Sequence, residues 1–313
     1  MNNNIRQFYF PTSAKEAARL LVKLKGKALV VAGGTRLTRT VPPMVETVVD
    51  ISDLPLRHVR ADRKWLRIGA LCSICDLEKS PVVAKWAGGV IARTAGFWSN
   101  APARSMGTVG GNVVRPHPYN NLPPVFLALD AVAVCTDGLR EKAMPFADVL
   151  KPEVMRELGA RYLLTEVRVP AQTKGWSAAS GRLAETKTDW ESYANCVAAV
   201  DLKGGVVRKA AIALSAVLPR AARMAKAEKL LEGKPGSEAA ARAAAAAVVQ
   251  ELAELTGGSP GKAYAREAAG VLVRRALLEA FLKGDPRNSA GVFVPRSGTV
   301  PSINSQEGDG GKA

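Results

Sequence analysis

Two glycine clusters carry the residue types and spacing best suited to chemistry. The first, Ala32-Gly33-Gly34-Thr35, follows the apolar run Leu29-Val30-Val31 without a break. The second is Gly107-Thr108-Val109-Gly110-Gly111-Asn112. Paired glycines let a backbone turn with positive φ and gather its N–H groups around one concavity, with no Cβ in the way. Such a concavity suits a diphosphate, since each N–H bond to a charged oxygen is worth about 1.5–3 kcal/mol. Thr35, Thr108 and Asn112 supply side-chain handles beside it. Either cluster alone reads equally well as a tight turn, because glycine punctuates turns everywhere. Two of them, each with a threonine, favour a phosphate-bearing ligand, and composition does not say which.

The other reactive side chains form no set. Cys72-Ser73-Ile74-Cys75 is a CxxC with no second pair, while Cys135 and Cys196 stand alone in apolar, strand-like segments and read as core. A structural zinc needs four ligands, and beyond these cysteines only His58 and His117 are available, so no metal is expected. No Ser/His/Asp arrangement is visible. Asp50 and Asp53 read as strand ends and caps, and no catalytic side chain is assigned.

The elements that must position the clusters can be read from periodicity and punctuation. Phe8-Tyr9-Phe10 is a strand closed by Pro11, and Ser13 to Glu16 has capping-box spacing. Ala17, Leu20, Leu21 and Leu24 then recur at helical spacing up to Gly26. Leu29–Val31, Thr47–Ile51 and Trp65–Ile68 read as strands, and Ser73 with Asp76 opens a helix. Pro116, Pro118, Pro123 and Pro124 exclude a regular element until Val125–Leu129. Ala131–Cys135, with a turn at Asp137-Gly138, and Tyr162–Val169, stopped by Pro170, are further strands. Gln172–Thr188 reads as a polar connector. Cys196–Leu202 and Val206–Val217, joined at Gly204-Gly205, form a hairpin. Helices follow at about 220–232, 237–256 and 262–283, and the Ser-, Gly- and Pro-rich tail from Asp285 is expected to be mobile or laid along a partner. Grouped strands and helices make this α+β rather than regular βαβ. Without a G-x-G-x-x-G between strand and helix, a dinucleotide Rossmann unit is not expected.

At 313 residues, 47% hydrophobic and 23% charged, the chain suits two modest soluble domains. No apolar leader or membrane span is read, so the expected location is cytoplasmic, with reduced thiols. The net charge of +16 raises the question of nucleic acid, but Lys and Arg are scattered and only 5% of residues are aromatic. That is no stacking platform. A basic surface facing acidic partner subunits or an anionic cofactor fits better.

Val31-Ala-Gly-Gly-Thr-Arg-Leu37 and Thr108-Val-Gly-Gly-Asn112 resemble the two signature loops of the FAD subunits of the xanthine dehydrogenase and CO dehydrogenase family. The resemblance extends over most of the chain. It takes in Val49-Asp-Ile51, Ile68-Gly-Ala70, Asn121-Leu-Pro-Pro-Val-Phe-Leu-Ala-Leu-Asp-Ala131, Pro219-Arg-Ala-Ala222 and Gly258-Ser-Pro-Gly-Lys-Ala-Tyr-Ala-Arg266. It implies a vanillyl-alcohol-oxidase/PCMH-type FAD-binding domain in two subdomains over residues 1–171. A CO dehydrogenase flavoprotein C-terminal α+β domain over 172–285 and a tail over 286–313 follow.

Carried over position by position, the resemblance implies that Val30, Val31, Ala32, Gly33, Gly34, Thr35, Arg36 and Leu37 wrap the FAD diphosphate. Thr108, Gly111 and Asn112 hold the diphosphate and ribityl region, with Gly107 and Val114 close by. Trp98 falls beside the flavin, where stacking adds about 0.5–1.5 kcal/mol; an ordinary core Trp is the other reading. Leu164 and Lys187 close the site, Lys187 reading equally as a solvated surface lysine. His117 reads as structural rather than as a covalent flavin attachment. Two positions depart from the family: Arg36 stands where an Asp is usual, and Asn121 where an acid precedes Leu-Pro-Pro.

The implied complex has a molybdopterin-binding large subunit, a small subunit with two [2Fe-2S] clusters, and this FAD subunit passing electrons to an external acceptor. A dimer of heterotrimers is expected, without nucleic acid. An assembly subunit that has lost FAD and a stand-alone flavin oxidase are the alternatives. Neither the substrate nor the choice among NAD, quinone, oxygen or a protein acceptor can be read from this chain.

Overall fold

The computed structural model describes residues 4–35, 41, 43–114, 117–186, 189 and 191–284. The chain opens with β1 (Gln7–Tyr9), α1 (Ala14–Leu24), β2 (Ala28–Val31) and β3 (Thr47–Asp50). Strand β3 lies between β1 and β2 and runs parallel to both. Ser13 caps α1 by accepting from the Glu16 N–H at 3.2 Å. The reciprocal half of the expected box is displaced by one residue: the Glu16 carboxylate takes the N–H and hydroxyl of Thr12 at 2.8 and 2.9 Å. Either way the orphan donors of the first turn are met. Ala17, Ala18 and Leu21 bury their face against Val49, Ile51 and Leu163.

A second sheet is antiparallel, in the order β4 (Val59–Ala61), β5 (Trp65–Gly69), β8 (Leu163–Pro170), β6 (Val132–Thr136), β7 (Glu141–Pro145). Between β5 and β6 come α2 (Ile74–Lys79), α3 (Pro81–Ala84), α4 (Val90–Gly96), α5 (Ala101–Met106), α6 (Val109–Val114) and α7 (Leu122–Ala128). Between β7 and β8 come α8 (Phe146–Val149) and α9 (Pro152–Glu157). Ser73 and Asp76 form the full capping box expected for α2. Helix α7 starts at Leu122, three residues earlier than the prolines suggested. Pro123 and Pro124 occupy its first turn, where a missing N–H breaks no bond. All seven of its residues are buried.

The C-terminal sheet is antiparallel in the order β12 (Ala222–Arg223), β11 (Val206–Ser215), β10 (Ala194–Lys203), β9 (Ser177–Leu183). The expected hairpin is β10–β11, and Gly204 and Gly205, at φ 60° and 78°, make the two-residue turn that requires positive φ twice. The segment read as a connector contains β9. Its Ser, Ala and Gly residues look polar and small in sequence, yet they fit between β10 and a close-packed helix: a Cβ on Gly181 would lie 3.2 Å from both Cys196 Sγ and a Leu272 methyl. α10 (Ala225–Leu231), α11 (Glu238–Leu255) and α12 (Ala263–Gly284) close the domain. The first of these begins later than periodicity suggested, because residues 219–223 serve as a turn and an edge strand. Arg223 joins the halves, donating to Glu228, to Asp130 at 3.0 Å and to the Leu127 carbonyl of α7 at 3.3 Å. The tail from Asp285 lies outside the described residues.

Candidate functional site

A cavity of about 390 Å³ opens where the two N-terminal sheets meet. Its walls are the end of β2 and the first glycine cluster, Ala70 and Leu71 after β5, the junction of α5 with α6, the α9–β8 connection, and Leu163 and Leu164 of β8. Thirteen of the expected residues line it together: Val30, Val31, Ala32, Gly33, Gly34, Thr35, Trp98, Gly107, Thr108, Gly111, Asn112, Val114 and Leu164. Arg36, Leu37 and Lys187 lie outside the described residues.

The first cluster is a tight turn built for close approach. A Cβ on Gly33 would fall 1.6 Å from the Met106 carbonyl oxygen, and Gly34 has φ 65° with open space beside it. The N–H groups of Gly33, Gly34 and Thr35 make no backbone hydrogen bond to another described residue. They remain available to a ligand.

The second cluster differs from expectation. It forms the start of α6 rather than a turn, and its amides are already engaged. Val109 donates to Cys72 O at 2.8 Å, Gly110 to Ala70 O at 2.8 Å and Asn112 to Thr108 O at 3.0 Å. Gly111 donates to the Thr108 hydroxyl at 3.1 Å. Small residues are needed here to seat the helix: a Cβ on Gly110 would meet Ala70 O at 3.0 Å, and one on Gly107 the Trp98 ring at 2.5 Å. The polar capacity left at this wall is in side chains. Asn112 is 5% exposed, and both its side-chain Nδ2 and Oδ1 lack a partner. Leaving such groups unmet costs about 1–3 kcal/mol each.

Asn121 is not in the lining. It is buried at the start of α7, where its Nδ2 donates to Thr94 O of α4 at 2.5 Å while its Oδ1 has no partner. Its neighbour Asn120 lines the cavity instead, donating through Nδ2 to Asn112 O at 2.6 Å. Sequence reasoning also missed Met155, Arg156, Leu158, Gly159 and Ala160, which carry no motif; Leu163 could have been found, since it precedes Leu164 in the same strand. Arg156 is the one charged side chain among the described lining residues.

Beneath α6, Ala70 donates to Thr165 O at 2.9 Å and so ties the cavity floor to β8. The next residue, Glu166, receives Arg168 and Arg67 and lies 3.0 Å from His58 Nε2. Burial alone would raise its carboxyl, but the hydrogen bonds from Arg168 and His58 and the nearby arginine charges bring it below the ordinary carboxylate value. Burial pushes the thiols of Cys72 to about 11 and of Cys135 and Cys196 to about 12. Among the described residues no group of three His, Cys, Asp or Glu side chains could hold a metal.

A cavity with largely apolar walls that also carries free amides and an unmet carboxamide fits a long ligand with a charged centre and polar arms. Residues 3–172 match the family model described as the FAD binding domain in molybdopterin dehydrogenase, and residues 182–280 match the CO dehydrogenase flavoprotein C-terminal domain. The carbon monoxide dehydrogenase medium chain of Hydrogenophaga pseudoflava is 30% identical, over 88% of this chain and 97% of its own. Caffeine dehydrogenase subunit beta of a Pseudomonas species is 28% identical, over 72% of this chain and 77% of its own. Among solved structures, carbon monoxide dehydrogenase from Hydrogenophaga pseudoflava lacking the Mo-pyranopterin moiety superposes with a TM-score of 0.79. It has 29% identity and covers 90% of this chain and 99% of the other.

Proposed function

Because the chain belongs to the FAD-binding family of the molybdopterin dehydrogenases, we propose that it serves as the medium subunit of a molybdenum hydroxylase and relays electrons through FAD to an external acceptor. When bound, the flavin supplies the electron chemistry, accepting and releasing reducing equivalents. The protein's part is to bind, orient and shield it.

The free amides of Gly33, Gly34 and Thr35 hold the diphosphate, joined by Arg36 and Leu37. Asn112 and the Thr108 hydroxyl meet polar groups of the same ligand. Val30, Val31, Ala32, Val114 and Leu164 exclude water, Trp98 flanks the ring system, and Lys187 closes the site from the second domain. The domains divide at 171/172. A large molybdopterin subunit and a small [2Fe-2S] subunit complete the complex, as a dimer of heterotrimers in the cytoplasm. No helix among the described residues is long and apolar enough to cross a membrane.

The observation that carries this reading is Asn112: a buried carboxamide, unmet on both atoms, lining the same cavity as the free glycine amides. Asn112→Leu keeps the branched shape and removes both polar atoms. Co-expressed with its partner subunits and titrated with FAD, this variant is expected to bind about tenfold to a hundredfold more weakly than wild type, as loss of one to two hydrogen bonds implies. A wild-type complex that stays colourless after added FAD would leave only an assembly role. Purification without companion chains would favour a free-standing flavin oxidase.

A further inference from the structure

The wall of the cavity that carries Asn112 is held from behind by the C-terminal sheet. Residues 117–121 run from α6 towards α7, and Asn120 touches both sides. On the cavity side its Nδ2 donates to Asn112 O at 2.6 Å. On the far side its carbonyl accepts from the Ser215 hydroxyl at 3.3 Å. Asn195 Nδ2 donates to Tyr119 O at 3.3 Å and to Ser215 Oγ at 3.3 Å. Ala216 N–H donates to Pro118 O at 2.8 Å, and Ala216 holds φ 72°, a conformation a β-carbon disfavours.

Asn195 and Ser215 face each other across the β10–β11 ladder, at the end of strands whose other buried residues are Ala, Val, Ile, Leu and Cys. They are 3% and 1% exposed. A buried polar pair in an apolar sheet is unfavourable unless it is hydrogen-bonded, and the bonds it makes reach the backbone of the cavity wall. Three consecutive carbonyls, of Pro118, Tyr119 and Asn120, are each taken by one donor from this sheet end. Three donors at successive residues fix both the position and the twist of the segment, where one bond would leave it free to pivot.

We propose that Asn195 and Ser215 are positioning residues for the flavin. They hold 117–121 in place, so that Asn120 braces the α6 backbone and Asn112 presents its carboxamide to the cofactor at a fixed angle. This rests on FAD occupying the cavity. The second domain thereby tunes a site whose described lining residues all lie in the first.

The test uses the purified complex, with FAD affinity and the visible spectrum of the bound flavin as readouts. Asn195→Ala and Ser215→Ala are each expected to weaken FAD binding about tenfold, the scale of one lost hydrogen bond, and to shift the flavin absorption bands. Combined with Asn120→Ala, either change is expected to add little, since all act through one segment. Ser215→Ala removes a single oxygen and keeps the strand packing, so it decides the matter even where Asn195→Ala does not assemble. Arg223→Met, which cuts a different link between the halves, is expected to lower the unfolding temperature without moving either readout. Wild-type affinity and spectrum in Ser215→Ala would overturn the inference, as would full additivity with Asn120→Ala. A wild-type complex that takes up no FAD would instead overturn the functional reading beneath it.

Discussion

The two glycine clusters have nearly the same composition and do opposite things. In the first, glycine removes side chains so that backbone can touch backbone, Gly33 against Met106, while the amides stay free for a ligand. In the second, glycine lets α6 sit down on the segment after β5, and the amides are consumed in holding it there. The lesson is that a glycine pair marks a close approach without saying what approaches. The first cluster leaves main chain free at the cavity wall, and the second leaves the Asn112 side chain free on a wall whose own amides are engaged.

That contrast can be broken most sharply at Gly33. Its added Cβ meets a backbone oxygen that cannot rotate away, so Gly33→Ala is expected to lower stability by about 3 kcal/mol and to abolish FAD retention, read by denaturant unfolding and by flavin absorbance after gel filtration. Gly34→Ala meets no atom but holds φ 65°; a loss of about 1–2 kcal/mol is expected from the left-handed conformation alone. If Gly34→Ala proved as damaging as Gly33→Ala, close contact would not be what distinguishes the loop. Gly111→Ala lies within a helix, where alanine is favoured by about 1 kcal/mol, against a 3.1 Å approach to the Thr108 hydroxyl. Stability near wild type with modestly weaker FAD binding is the expected result. Loss of the fold would show that the second cluster needs its glycines for backbone conformation after all.

The smallest effect concerns the floor beneath the second cluster. Glu166 has its carboxyl held below the ordinary value in the folded state, so its contribution is complete above the unfolded carboxylate's pKa and fades as pH falls through the folded one. Glu166→Gln is therefore expected to flatten the acid limb of the stability curve between those two values, with little change at neutral pH beyond a uniform offset. An acid limb identical in both proteins would show that the pairing of Glu166 with Arg67 and Arg168 adds nothing to folding.

Much of this was legible in the residues. Apolar alternation, two-glycine turns and capping spacing located the hairpin, α1, α2 and most strands, because these depend on neighbours in sequence. What escaped depended on partners far along the chain. Pro123 and Pro124 read as breakers because their place in a first turn is decided by where α4 and the C-terminal sheet meet α7. Strand β9 read as a connector because its small residues gain their value from β10 and α12, both further along the chain. The α9–β8 connection lines the cavity through its position, with no motif to show it. At the α7 start, motif spacing pointed to Asn121, while the cavity is lined by Asn120; one residue of offset near a helix turns a side chain by about 100°, and spacing does not record that direction.

The three deeply buried cysteines have a bearing on durability. With values pushed to about 11 for Cys72 and about 12 for Cys135 and Cys196, these sulfurs stay protonated at any cellular pH, and a protonated sulfur reacts only sluggishly with peroxide. A subunit that carries reducing equivalents close to dissolved oxygen makes its own oxidant whenever transfer goes astray. Cys72, Cys135 and Cys196 are kept in their inert form by the same close packing that builds the apolar clusters around them.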